Sequence, residues 1–152
     1  MWVGLSAVRV DDIEKETPLS NLTNTGKLLS EIESRNKKSE FYKTNLVKCL
    51  PLNSDKIRYP RKDEMHACYN NLESEVSEFK PKLVFLLGKL VADFVAKDKF
   101  EVDFADDFKY KAIQSEDTIY VPVHHPSYIL VYKRKNVDSY IKGISKLIAK
   151  YS

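Results

Sequence analysis

The chain has 152 residues, 43% of them hydrophobic and 31% charged, with a formal net charge of +3. That length suits one domain with a real hydrophobic core, and the balance is that of an ordinary globular protein rather than a disordered or fibrous one. No apolar run reaches the length of a membrane span, no charged-then-apolar leader is visible, and two cysteines are too few for a disulfide framework or a four-thiolate metal site; the expectation is a cytoplasmic monomer without membrane contact.

A small net charge neither demands nor excludes a nucleic-acid partner, because phosphate contacts need only one basic face. Basic residues gather at Arg58, Arg61 and Lys62, and again at Lys133, Arg134 and Lys135. Each cluster suits a phosphate clamp or a solvated loop equally well.

In chain order, residues 1–8 read as a buried strand that starts with no lead-in, which predicts that further residues precede it in the natural protein. Asp11 and Asp12 follow; carboxylates there either activate a water or make a turn. Thr23 or Asn24 caps a predicted helix to about residue 37, with Leu28, Leu29 and Ile32 on one face. Residues 41–47 form a second strand, and a polar loop runs between Pro51 and Pro60. A helix over about 62–79 carries Met65, Cys68, Leu72, Val76 and Phe79 on one stripe. Residues 82–87 are apolar throughout, as a strand covered on both faces requires. Gly88 then turns the chain into a helix holding Leu90, Val91, Phe94 and Val95. An acidic loop at 103–107, a strand at 118–123 and a closing helix at 137–151 complete the sequence, the last with Tyr140, Ile141, Ile144, Leu147 and Ile148 inward. Strands alternating with helices predict an α/β fold whose parallel sheet is covered on both sides. There is no internal repeat, no P-loop and no G-x-G-x-x-G.

Ligands of such folds collect at the C-terminal ends of the strands, so the polar residues there carry the functional question. Asn45 stands near the end of the second strand. Its carboxamide has a donor and an acceptor side that can read the edge of a nucleobase, and it equally suits the task of satisfying a loop's backbone. His125 precedes Pro126, which disfavours helix at the histidine and fixes the turn after it. Such an imidazole can support charge on a departing ring or simply pack at a strand end. Strand alternation sends His124 to the opposite face, so one member of the pair enters the site. His66 lies beside the apolar stripe of its helix and reads as structural or exposed. Cys49 and Cys68, taken singly, read as small buried hydrophobes.

Several segments in chain order carry a resemblance to a known family. Gly4-Leu5-Ser6-Ala7 is similar to a Gly-rich strand-to-loop motif, and Thr25-Gly26-Lys27-Leu28-Leu29 to the helix start after it. Thr44-Asn45-Leu46-Val47-Lys48-Cys49-Leu50-Pro51 is the most specific match. Leu86-Leu87-Gly88-Lys89 and His125-Pro126-Ser127-Tyr128 complete the set. With these segments, covering nearly the whole chain, the sequence resembles the uracil-DNA glycosylase superfamily, nearest the thermophile-type branch that carries an iron–sulfur cluster.

The resemblance implies a three-layer α/β/α sandwich around a four-stranded parallel sheet in order 2-1-3-4. It implies excision of uracil from DNA, with Asn45 reading the uracil edge, His125 bonding O2, and Gly4, Leu5, Ser6 and Leu19 around the base. Ser127 and Tyr128, with the residues up to Tyr132, would lie on or beside an intercalating loop; Lys133, Arg134, Lys135 and Arg61 would meet DNA. Cys49 and Cys68 correspond to the last two of four cluster-ligating cysteines. The first two, a C-x-x-C before the first strand, are absent, so this chain as given should carry no cluster; a longer natural form supplying them would hold a 4Fe–4S group. Leu5 stands where the branch has a carboxylate, Ala7-Val8 replaces Pro-Gly, and Leu19 replaces a stacking aromatic. Asp11 and Asp12 fall where the family often has an acidic pair, so the resemblance assigns water activation to them. These departures keep open a relative that binds DNA or a base without cleaving, beside a small α/β module that binds nucleotides or protein.

Overall fold

The computed structural model describes residues 1–8, 17–96, 102, 104 and 106–152. Burial along the first strand, β1 (Trp2–Ser6), sets the architecture, because successive side chains enter different cores. Trp2 joins one apolar cluster with Leu28, Leu29 and Ile32 of α1 (Asn24–Arg35) and with Tyr140, Ile141, Ile144 and Ile148 of α5 (Val137–Tyr151). Val3 joins the other, with Met65 and Leu72 of α2 (Lys62–Phe79) and Val91, Ala92 and Val95 of α3 (Lys89–Val95). Helices therefore cover both faces of one sheet. Trp2 stacks on Phe85 with ring centroids 4.5 Å apart, and its indole N–H donates to Glu33 at 2.9 Å, so its one polar group is satisfied in the core.

The sheet has five strands rather than four. β2 (Lys43–Val47), β1, β5 (Leu83–Leu87) and β7 (Thr118–Val123) neighbour one another in that order, each pair parallel. The additional strand, β6 (Ile113–Ser115), pairs antiparallel with β7 at the edge. Its turn is Glu116-Asp117, with Glu116 at φ 52°, a left-handed conformation usually signalled by glycine or asparagine. A second hairpin, β3 (Leu52–Asn53) with β4 (Lys56–Ile57), occupies the stretch read as a polar loop, and Ser54 turns it at φ 53°.

Thr23 caps α1 by accepting from the Gly26 N–H at 3.0 Å. Phe79, expected on the buried stripe of α2, instead packs at the surface against Tyr42, the rings tilted by 33° with centroids 4.4 Å apart. The segment after β7, expected as a loop, is the helix α4 (Pro126–Tyr132). Pro126 occupies its first turn and His125 its N-cap, the arrangement in which proline starts rather than breaks a helix. A 3-10 turn, Arg134–Asn136, leads on into α5. Among the described residues, no helix is long and apolar enough to cross a membrane. The acidic stretch at 103–107 lies partly outside the described residues.

Candidate active site

A cleft of about 1360 Å³ opens over the C-terminal ends of β1, β2, β5 and β7. That is more room than the roughly 300–1,000 Å³ of a typical small-molecule pocket and suits a portion of a polymer. Asn45 and His125, 80 positions apart by their numbers, both line it. Leu5, Ser6, Leu19, Ser127 and Tyr128 line it as well.

The position of Asn45 follows from strand register. Asn45 pairs with Gly4 across the parallel β1–β2 ladder, and a Cβ built on Gly4 would stand 2.4 Å from Asn45 Oδ1 and 3.0 Å from Leu19 Cδ2. The absent side chain at Gly4 is thus the space that the carboxamide occupies. Asn45 is buried, and its Oδ1 has no hydrogen-bond partner among the described residues. An unsatisfied buried carbonyl costs about 1–3 kcal/mol. Among the described residues, Asn45 Oδ1 thus holds no loop in place and is an acceptor without a partner. Leu19, beside it, adopts φ 53°, a strained backbone for a side chain of its size.

Gly4→Ala is expected to push the carboxamide out of this slot. It should lower activity through Asn45 by tenfold or more, while the circular-dichroism spectrum stays that of the parent. An alanine variant with unchanged kinetics would contradict this account of Gly4.

The histidine is fixed from three sides. His125 Nδ1 accepts from the Ser127 backbone N–H at 3.2 Å and lies 2.7 Å from Ser127 Oγ. A ring nitrogen that accepts from a backbone N–H carries no proton of its own, so the neutral ring bears its hydrogen on Nε2 and presents a donor. Gly88, at φ 90°, lets β5 run into α3 against this ring; a Cβ there would meet His125 Cβ at 3.2 Å. Burial pushes the His125 pKa below the usual imidazole value of 6.5.

His124 turns away, as strand alternation requires. It is buried, its Nδ1 lies 2.8 Å from the Tyr110 hydroxyl, its carbonyl accepts from Tyr140, and its ring stacks on Tyr128 at 5.4 Å. Burial lowers its pKa too, against an opposing pull from Asp106.

The pH dependence follows with a definite sign. Protonation of His125 would place a hydrogen on Nδ1 facing the Ser127 N–H, so the site excludes the proton. The rate supported by His125 should hold as pH falls through 6.5 and decline only below it. Fold stability should fall over the same window, from 6.5 down to the lowered folded-state pKa values of both histidines, because only the unfolded chain binds the protons readily there. A rate profile with its acid limb above pH 6.5 would contradict this protonation state.

Other expected residues stand further off. Arg61 caps α2 and directs its guanidinium to Asp63 and Glu64 at 3.3 and 3.5 Å, away from the cleft lining. Lys133 pairs with Asp106 at 3.0 Å, and Arg134 and Lys135 are exposed in the 3-10 turn beyond α4, outside the lining. Among the described residues, the cations on the cleft wall are Lys48, Arg58 and Lys89. Each is paired with a carboxylate: Lys48 with Glu75 at 2.7 Å, Arg58 with Glu64 at 2.6 Å, Lys89 with Asp93 at 3.1 Å. Arg58 and Glu64 form a two-pronged pair that holds the carboxyl at about pKa 2. Asp11 and Asp12 lie outside the described residues.

Cys49 is exposed on the cleft wall, and Cys68 is half-buried on α2 against the second apolar cluster. Among the described residues, no group of three or more histidines, cysteines or carboxylates could hold a metal. Two thiolates supply half the ligands of a four-cysteine iron–sulfur cluster, so the residues of this chain do not fit that group.

A family model for the uracil DNA glycosylase superfamily matches residues 5–148. Over 118 residues the chain is 26% identical to a protein of Sulfurisphaera tokodaii named "Type-4 uracil-DNA glycosylase"; the match covers 72% of this chain and 52% of that relative. The chain thus spans about half the length of the relative it matches. A matching family over nearly the full length, on an α/β fold whose cleft is lined by both Asn45 and His125, places this chain in the uracil-DNA glycosylase superfamily.

Proposed function

We propose that this protein removes uracil from DNA by hydrolysing the N-glycosidic bond. The observation that carries the reading is the open acceptor: a buried Asn45 Oδ1 with no partner among the described residues, on the wall of a cleft also lined by a histidine whose Nε2 is a donor. Uracil N3–H and O4 complete the Asn45 carboxamide, one donor and one acceptor each, while cytosine offers the wrong pattern at both atoms.

Extruding the nucleotide costs about a few kcal/mol, least at a mispair or in a single strand. The C1′–N1 bond then breaks with its electron pair passing to the base. His125 Nε2–H stabilises the charge that appears on uracil O2, an interaction stronger in the transition state than in the ground state. Water adds its oxygen to C1′ and yields its proton, which ends on the departing base. We assign acceptance of that proton to Asp11 or Asp12, on the resemblance alone. No step passes through an iron–sulfur cluster. The partner is uracil-containing DNA, and we take the protein to act as a monomer in the cytoplasm.

A second reading has its own observation. Leu5 lines the cleft at the position where the resemblance implies a carboxylate, which favours a relative that binds the base without releasing it. A uracil-containing oligonucleotide separates the two. Excision yields an alkali-labile abasic site and free uracil; binding without cleavage yields neither, and would overturn the enzymatic reading.

A further inference from the structure

Of the eleven exposed large hydrophobic residues among those described, seven line the cleft. Apolar exposure gathered on one concave surface marks a place of contact rather than chance. Part of it belongs to α4, where Tyr132 is 73% exposed and packs on Tyr128 with ring centroids 5.3 Å apart. The rest includes a feature the catalytic reading does not use. Ile57 ends the β3–β4 hairpin, 50% exposed, and Tyr59 just beyond it is 75% exposed.

A two-stranded hairpin with both strands exposed gains little from packing and needs another anchor. Arg58 is that anchor. Its Nε donates to the Leu52 carbonyl at 3.1 Å and its Nη1 to the Tyr59 carbonyl at 3.0 Å, while the fork also grips Glu64 at 2.6 and 2.8 Å. The Arg58 backbone N–H adds a bond to the Pro51 carbonyl at 3.1 Å. The guanidinium is therefore spent on holding the chain on either side of Tyr59 rather than on a phosphate. Topology places this hairpin opposite α4: it follows β2, whereas α4 follows β7, and β1 and β5 lie between those two strands. At roughly 4.8 Å per strand spacing, the two sides stand about 14 Å apart, the scale of a nucleotide strand laid across the sheet end.

We propose that Tyr59 is a stacking platform for an unpaired nucleobase next to the one in the pocket. The proposal rests on the glycosylase reading for its substrate. Two observations favour bases over phosphates as the contacted groups. The backbone that carries the Tyr59 ring is pinned by Arg58 while the ring itself is open, and among the described residues every cation on the cleft wall already has a carboxylate partner. Stacking on an aromatic face is indifferent to base identity, since each base presents a π-face.

The test compares wild type, Tyr59→Ala and Tyr59→Phe on single-stranded uracil oligonucleotides, with ordinary flanking bases or with tetrahydrofuran abasic flanks of equal length and charge. Tyr59→Ala should raise KM about tenfold or more with ordinary flanks, leave kcat in place, and change nothing with abasic flanks. Tyr59→Phe, which keeps the ring, should match wild type. A loss of the same size on both substrates, or no loss on either, overturns the proposal; so does a change confined to oligomeric state, which would make the hairpin a contact between copies. If wild type releases no uracil from any substrate, the glycosylase reading fails separately. Binding of uracil-free oligo-dT against a tetrahydrofuran polymer then decides the platform: wild type should prefer oligo-dT and Tyr59→Ala should not, and equal binding by wild type overturns it.

Discussion

His125→Ala is expected to slow uracil release about 100- to 1,000-fold in single-turnover measurements, the usual cost of removing one preorganised donor to a developing oxyanion. Affinity for a non-cleavable uracil analogue in DNA should stay nearly intact, because the lost bond matters chiefly when charge reaches O2. The variant also removes the N-cap of α4, worth about 1 kcal/mol of stability, and a slow enzyme could then be a loosened one. His125→Asn separates the two effects. Asparagine is a good N-cap residue and can accept from the Ser127 N–H in place of Nδ1, yet its shorter side chain does not present a donor where Nε2 stands. The expected pattern is a melting temperature close to the parent's with a rate near that of the alanine variant. A His125→Ala enzyme within threefold of wild type would remove this residue from the chemistry.

Asn45→Ala is expected to cost at least tenfold in the rate of excision and to keep or raise stability. That combination is unusual for a buried residue of a strand, where truncation ordinarily destabilises by about 1 kcal/mol or more. It follows here because Oδ1 is buried without a partner among the described residues, so its removal relieves an unsatisfied acceptor. Thermal unfolding and excision kinetics on the same preparation check both halves. A variant that unfolds earlier and excises normally would make Asn45 a structural residue and leave the cleft without its reader.

Much of the frame was legible because it depends on local pattern. The apolar run at 83–87 is buried from end to end as β5, and 118–123 is β7. Alternation along β7 separated His124 from His125 before any contact was known. What escaped the sequence had turn chemistry that hides itself. Ser54 and Glu116 take left-handed backbone without glycine or asparagine, so the β3–β4 hairpin reads as a loop and the edge strand β6 leaves no signal. His125-Pro126 signalled a turn correctly, but proline at the start of a helix carries the same signal, and α4 was missed. Phe79 kept its period yet sits at the last turn of α2, where the surface offers Tyr42 instead of the core.

The site divides in the same way. Asn45 and His125 could be named from residue chemistry and resemblance. The role of Gly4 beneath Asn45 could not, since it exists only through the register of two parallel strands. Basic residues misled because charge says nothing about who is already paired. Arg61 serves a helix cap, whereas Arg58 stands on the cleft wall with its fork engaged by Glu64 and two carbonyls. Tyr59 was invisible for a similar reason, as an aromatic in a polar stretch gives no periodicity to read.

The central claim is that one ring contacts Asn45 and His125 together. It is tested most directly by titrating free uracil into protein labelled with ¹⁵N at the asparagine carboxamides and histidine rings. The account predicts that the Asn45 carboxamide and the His125 Nε2 resonances move along one binding isotherm, with Nε2 remaining protonated and Nδ1 bare, while thymidine-free controls with cytosine move neither. Movement of one resonance without the other, or of neither at saturating uracil, would contradict it.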